Sequence, residues 1–164
     1  MKPWGHALKD AIIVGSFASL TSAAALALRG RSETGYALAT LNAPSHWLWG
    51  DRALHKNGPS MEHTGAGFAI HHASSIFWAV IHEKTMDESN RDTTLATHLT
   101  RATVTAILAA LVDLRIAPDR LTPGFERRLS ASSLCLVYGL FGLGLGLGSY
   151  WLNRRRRKDL QGGR

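Results

Sequence analysis

Residues 133–152 read SLCLVYGLFGLGLGLGSYWL, an uncharged run that is long enough to cross a lipid bilayer as a single helix. Arg127 and Arg128 precede the run, and five consecutive basic residues follow it at positions 154–158. Tyr150 and Trp151 stand where aromatic side chains anchor a span at the membrane interface. The sequence therefore predicts a transmembrane helix over residues 131–152, followed by a basic tail over residues 153–164.

Three further apolar segments, at residues 8–28, 63–82 and 95–116, have a similar length. The mean hydropathy of -0.05 is that of a soluble protein, but it averages apolar blocks with charged connectors. The length of each block identifies a membrane helix better than the mean does. We therefore predict an all-α fold, a single domain over residues 1–164 that forms an integral membrane bundle of four transmembrane helices.

The first segment has two interpretations. Its basic start and the small residues around Ala27 resemble a signal peptide. However, the apolar run is longer than a usual signal core, and Gly15, Ser19 and Ala23 recur at every fourth position. Because this spacing lets two helix backbones approach closely in lipid, a retained helix is favoured over a cleaved one.

The net charge of +7 makes nucleic acid a partner to consider. The basic residues do not form a patch interleaved with aromatic residues, so we expect no nucleic acid to bind. The basic run at 154–158 instead predicts contact with anionic lipid headgroups and a cytoplasmic C-terminus. Arginines in the first and third loops count against this orientation.

Polar and small residues form one stripe on each of the two middle segments, because they follow steps of three and four. In the second segment the stripe is Thr64, Gly67, His71, Ser75, Trp78 and His82. In the third segment it is Thr94, His98, Arg101, Thr105, Ala109 and Asp113. We predict that the stripes face each other as a polar seam, with His71 level with Thr105 and His63 level with Asp113. The seam would bring His82 and Glu83 to His98 and Arg101.

The chemistry of these histidines has three interpretations. Each can form a buried hydrogen bond between helices, take part in a proton or ion path, or bind a metal or a haem. The candidate metal ligands are His46, His63, His71, His72 and Asp113. One metal cannot join His71 to His82, because they lie roughly 16 Å apart along a helix.

Two shorter features concern packing. A short helix beginning near Ser45 is expected to lie at the bilayer surface, with Trp47 and Trp49 as interfacial anchors, either as a lid or as a plain connector. The glycines at positions 142, 144, 146 and 148 have the spacing of close helix packing or of self-association into a homo-oligomer.

The stretches NAPSHWLWGD at residues 42–51 and HTGAGFAIHHASSIFWAVIHEK at residues 63–84 resemble a group of small proteobacterial multi-pass membrane proteins. More distantly, the chain is similar to the YagU-type inner-membrane family. This resemblance implies an inner-membrane location and a compact helical bundle. It implies no activity and no catalytic residues.

The sequence thus leaves three functional hypotheses. The favoured one is a non-enzymatic membrane component with a structural or interaction role. The second is a redox protein that binds a metal or haem through its histidines, and the third is a conductor of protons or small ions. Whether the chain is an enzyme stays open at this point.

Overall fold

The structure is a computed structural model that describes residues 1–86 and 94–162. Its α-helices are α1 (Trp4–Thr34), α2 (Ala39–Asn42), α3 (His46–Trp49), α4 (Ala66–Thr85), α5 (Leu95–Leu111) and α6 (Ala131–Gly162). One π-helical turn, Met61–Gly65, leads into α4, and another, Val112–Ile116, continues α5. No strand occurs within the described ranges, which confirms the predicted all-α class. The middle of the loop predicted between the second and third apolar segments, residues 87–93, lies outside these ranges.

Three helical segments are long and apolar enough to cross a membrane: Trp4–Thr34, Leu95–Ile116 and Ala131–Asp159. They contain the predicted first, third and fourth spans. The predicted second span forms α4, which is 20 residues long but is not among the three. It carries His71, His72 and His82, and the charged pair Glu83 and Lys84 lies near its end.

The bundle is organised around α1 and α6. Helix α1 packs against both α4 and α6, and α5 packs against α6. By contrast, α4 and α5 have few contacts with each other. Gly15 of α1 explains part of this arrangement, because a Cβ atom there would lie 2.7 Å from the Cα of Ile76 in α4. The two backbones approach so closely only because that side chain is missing.

The glycines of α6 serve two different neighbours. Gly142 and Gly146 face α5, where a Cβ on Gly146 would lie 2.8 Å from Leu99. Gly144 and Gly148 face α1, where a Cβ on Gly144 would lie 2.7 Å from the Cα of Ala18. Of the two roles predicted for these glycines, close helix packing is therefore the one seen within the chain.

The first half of the first loop is buried against α1 and α4 instead of lying across the bundle surface. The Thr40 hydroxyl donates a hydrogen bond to the Leu26 carbonyl at 2.7 Å. Gly67 of α4 lies directly against the backbone carbonyl of Leu41, which leaves no room for a side chain. A four-residue helix, α3, lies at the predicted place, but it continues helical turns that already begin at Ala39 and run through Pro44.

Candidate functional site

Three buried charged groups, Lys2, Asp10 and Glu83, form an ion-pair network with the partly exposed Arg156. The ammonium group of Lys2 donates to Asp10 Oδ2 at 2.7 Å and also pairs with Glu83. The guanidinium of Arg156 donates to both oxygens of Asp10, at 2.7 Å for the Oδ2 contact. The network therefore joins the N-terminal residues, α1, α4 and α6 at one end of the bundle.

Because the network is buried, each of its charged side chains needs a partner of opposite charge. The side chains of Asp10 and Glu83 are only 2% and 1% exposed, and that of Lys2 is 9% exposed. Main-chain contacts hold the same region together, since the Lys2 amide donates to the Met86 carbonyl at 3.0 Å. The Lys84 ammonium donates to the Lys2 carbonyl at 2.6 Å. Removing one charge would leave its partner desolvated and unpaired, which is costly.

The sequence did not identify this network. Its residues lie far apart in the chain, and in the sequence Lys2 and Asp10 are only charged residues near the start of the first apolar segment. One feature of the sequence does suggest an ion pair, because Asp10 is an acidic residue at the edge of an otherwise uncharged run. A carboxylate in that position needs a cation from another helix, but the sequence alone does not say which one.

The predicted polar seam forms at the same end of the bundle, and away from that end Trp78 of α4 also hydrogen-bonds Asp113. His82 Nδ1 lies 3.3 Å from the Thr105 hydroxyl, and Arg101 donates to the Thr85 carbonyl at 2.7 Å. His98 turns to α6, where its Nδ1 lies 3.2 Å from the Ser149 hydroxyl. The predicted meeting of His82 with Arg101 and its neighbours is therefore correct in location, although its bonding partners differ.

His71 faces α1 and not α5. Its Nε2 lies 3.0 Å from the Ser22 hydroxyl. The predicted register of His71 with Thr105 is wrong, because His82 occupies that position and the two helices diverge beyond it. His72 stacks on Phe68 with ring centroids 5.8 Å apart, and its Nδ1 is buried without a hydrogen-bond partner among the described residues. Ser75 donates to the His71 carbonyl within α4.

The remaining candidate metal ligands also have separate partners. His63 Nδ1 lies 3.2 Å from the Ser45 hydroxyl, and His46 Nε2 donates to the Thr122 carbonyl at 2.8 Å. Asp113 accepts a hydrogen bond from Tyr138 at 3.0 Å, so the expected pairing of His63 with Asp113 is wrong. Within residues 1–86 and 94–162, no group of three His, Cys, Asp or Glu side chains is placed to hold a metal ion.

A cavity of about 590 Å³ lies where α4 and α5 diverge, with α6 as its floor. Its aromatic lining consists of Trp47, Phe77, Trp78, Phe125, Tyr138 and Phe141. Its polar lining consists of His71, Ser74, Ser75 and Asp113. This volume is within the range of roughly 300–1,000 Å³ that is typical of small-molecule sites.

Asp113 is the central polar group of the cavity. Its Oδ2 accepts the hydrogen bond from the Tyr138 hydroxyl, and Trp78 provides a second side-chain hydrogen bond. Glu126 lies near enough for the two carboxylates to repel each other. The sequence predicted Asp113 as a site residue but missed Tyr138, because nothing in the apolar fourth segment indicates which neighbour its hydroxyl meets.

No protein-family model, no curated protein and no solved structure matches this chain. The resemblance to small proteobacterial membrane proteins and to the YagU-type family therefore stays a prediction.

Proposed function

We propose that this chain is a multi-pass inner-membrane protein with a non-enzymatic role, in which most of its histidines stabilise the bundle. The observation that carries this proposal is the bonding of His46, His63, His71, His82 and His98, each of which pairs with a hydroxyl or carbonyl group of another element. Interhelical hydrogen bonds of this kind hold membrane helices in register. The arrangement favours a structural or interaction role over ligation by histidine.

The proposal includes four membrane crossings, with α4 as the second. Lys2, Met86 and Arg156 lie together at one end of the bundle, as expected if an even number of spans separates the N-terminus from the C-terminal tail. In α4, His71 contacts Ser22 of α1 and His82 contacts Thr105 of α5, so both side chains face neighbouring helices. Intramembrane polar residues normally face the interior of a bundle in this way.

The C-terminal tail is proposed to lie in the cytoplasm against anionic headgroups. Arg154 and Arg155 lie over the rings of Tyr150 and Trp151, at 5.8 and 5.5 Å from the ring centroids. Arginine above an aromatic ring at the end of an apolar helix is well placed to contact lipid phosphates. At the opposite end, the partly exposed rings of Trp47 and Trp49 are proposed to anchor α3 at the interface.

Cysteine labelling tests this topology, since Cys135 is the single cysteine of the chain. In a Cys135→Ala background, we would introduce Gly58→Cys in the first loop and Gln161→Cys in the tail, both at exposed positions. An impermeant maleimide added to intact cells should label position 58, and should label position 161 only after the membrane is opened. Labelling of both positions from outside would contradict the even number of crossings.

Measurements on the purified protein distinguish the non-enzymatic proposal from the binding of a metal or haem by the histidines. We expect elemental analysis to find well below one equivalent of transition metal and the visible spectrum to show no haem band. His71→Gln, His72→Gln and His63→Gln should change the melting temperature without changing metal content. A stoichiometric metal that is lost in one of these variants would favour the redox alternative.

A further inference from the structure

The cavity between α4 and α5 has an unusual charge balance. Among the described residues, its lining contains one carboxylate, Asp113, and no lysine or arginine. The nearby Glu126 is paired through its Oε1 with Arg127 at 3.9 Å and so adds little net charge, although its buried Oε2 has no hydrogen-bond partner within the described chain. Tyr138 and Trp78 donate to Asp113 but bring no positive charge. Asp113 is therefore the carboxylate that a cation bound in the described lining would meet.

The walls of the cavity favour an apolar ligand with a diffuse charge. Aromatic rings attract cations at their faces, and the attraction grows when water is excluded. Six aromatic residues contribute to this lining, among them Trp78 and Tyr138 beside the carboxylate. A small metal cation needs several oxygen ligands to replace its water shell, and this predominantly apolar lining offers few. A large organic cation has no such requirement.

The cavity opens sideways, between α4 and the end of α5. Phe77 and Ile116 line it and are 58% and 71% exposed, so the opening lies on the outer surface of the bundle. In the proposed topology this surface faces lipid. A ligand that enters there must dissolve in the bilayer before it binds.

We propose that this cavity binds a lipophilic organic cation, such as a quaternary phosphonium or a hydrophobic ammonium, with Asp113 as its counter-ion. A lipid acyl chain would fill the same volume but would leave the carboxylate without a cation in an apolar site, which is unfavourable. A lipophilic organic cation neutralises Asp113 and at the same time packs against the apolar walls. Binding of this kind requires neither a bound metal nor a covalent step.

A pair of ions of the same shape tests the proposal. Tetraphenylphosphonium and tetraphenylborate differ mainly in the sign of their charge. We expect the purified protein in nanodiscs to bind the phosphonium saturably, with quenching of tryptophan fluorescence from Trp47 and Trp78, and to show no saturable binding of the borate. Equal binding of the two ions would overturn the proposal and would favour an apolar lipid as the occupant.

Asp113→Asn tests the counter-ion directly. It preserves the shape and the ability to accept the Tyr138 hydrogen bond, and it should weaken phosphonium binding by at least about tenfold. The control is Asp119→Asn, which removes an exposed carboxylate six positions later that does not line the cavity. Unchanged binding to Asp113→Asn, or an equal loss in both variants, would overturn the proposal.

Two substitutions that add bulk to α4 provide a test that does not depend on charge. Ala73 and Ala69 are both exposed on α4 one turn apart, but only Ala73 lines the cavity. Ala73→Phe should narrow the opening and weaken phosphonium binding several-fold, whereas Ala69→Phe should leave it unchanged. Because neither residue is buried, both variants should fold. Full binding by Ala73→Phe would place the phosphonium outside this cavity.

Discussion

Arg156 and Asp10 form a two-point ion pair between residues 146 positions apart in the chain, and the carboxylate of that pair is buried. The pair fixes the end of α6 to the start of α1. Because Lys2 shares the same carboxylate and also reaches Glu83, three helices depend on one acidic side chain. Asp10 therefore links the N-terminal residues, α1 and α6 through one carboxylate.

Asp10→Asn should destabilise the protein strongly. The substitution leaves the buried Lys2 with a single carboxylate and the partly exposed Arg156 without a counter-charge. Breaking a buried ion pair from one side typically costs about 3–5 kcal/mol, of which the solvated guanidinium accounts for little. Thermal unfolding in detergent, followed by circular dichroism, measures the effect. Asp159→Asn is the matched control, because that carboxylate is exposed on α6 and should change stability by less than about 0.5 kcal/mol. Similar melting curves for the two variants would count against the network.

A double-mutant cycle tests the bond between His71 and Ser22. We expect His71→Ala and Ser22→Ala each to destabilise the bundle, with a coupling energy of about 0.6 kcal/mol and not above about 1.7 kcal/mol, as for other interhelical hydrogen bonds in membranes. The cycle of His71 with Thr105 should give a coupling near zero. Coupling to Thr105 and not to Ser22 would mean that α4 faces α5 at this depth.

Gly144→Ala and Gly139→Ala should have opposite effects. A Cβ at position 144 would lie 2.7 Å from the Ala18 backbone, so the substitution should cost about 1–3 kcal/mol through overpacking. At position 139 no atom lies within 4 Å of the new Cβ. There the higher helix propensity of alanine should add up to about 1 kcal/mol. Chemical unfolding in mixed micelles gives both values.

Tyr138→Phe should lower stability while keeping the ring. The variant removes a hydrogen bond to the Asp113 carboxylate, and bonds to charged groups contribute about 1.5–3 kcal/mol. Tyr36→Phe is the control, because Tyr36 is 53% exposed. If both variants melt at the wild-type temperature, the contact of Tyr138 with Asp113 does not stabilise the bundle.

The sequence predicted the long helices well because the length of an apolar run is a local property. Residues 95–116 are the same range as α5 with its π-helical continuation. The short helix expected to begin near Ser45 is less well predicted, since helical turns already begin at Ala39 and pass through Pro44. Each of these predictions needed only neighbouring residues.

The packing partners could not be predicted in the same way. Helical periodicity showed that His71 and His82 share a face, but it did not show which helix that face meets. In this bundle the answer depends on small residues elsewhere in the chain, such as Gly15, which lets α1 approach α4 more closely than α5 does. The pairings of Asp10 with Arg156 and of Asp113 with Tyr138 depend on the same long-range geometry.

The alternation of glycines in α6 makes its two interfaces separable. Positions 142 and 146 set the distance to α5, whereas positions 144 and 148 set the distance to α1. A side chain added in one register moves one neighbouring helix and leaves the other in place. Substitutions at positions 142 and 146 can therefore change the distance of α5 from the rest of the bundle without altering the contact of α6 with α1. They would also change the width of the cavity between α4 and α5.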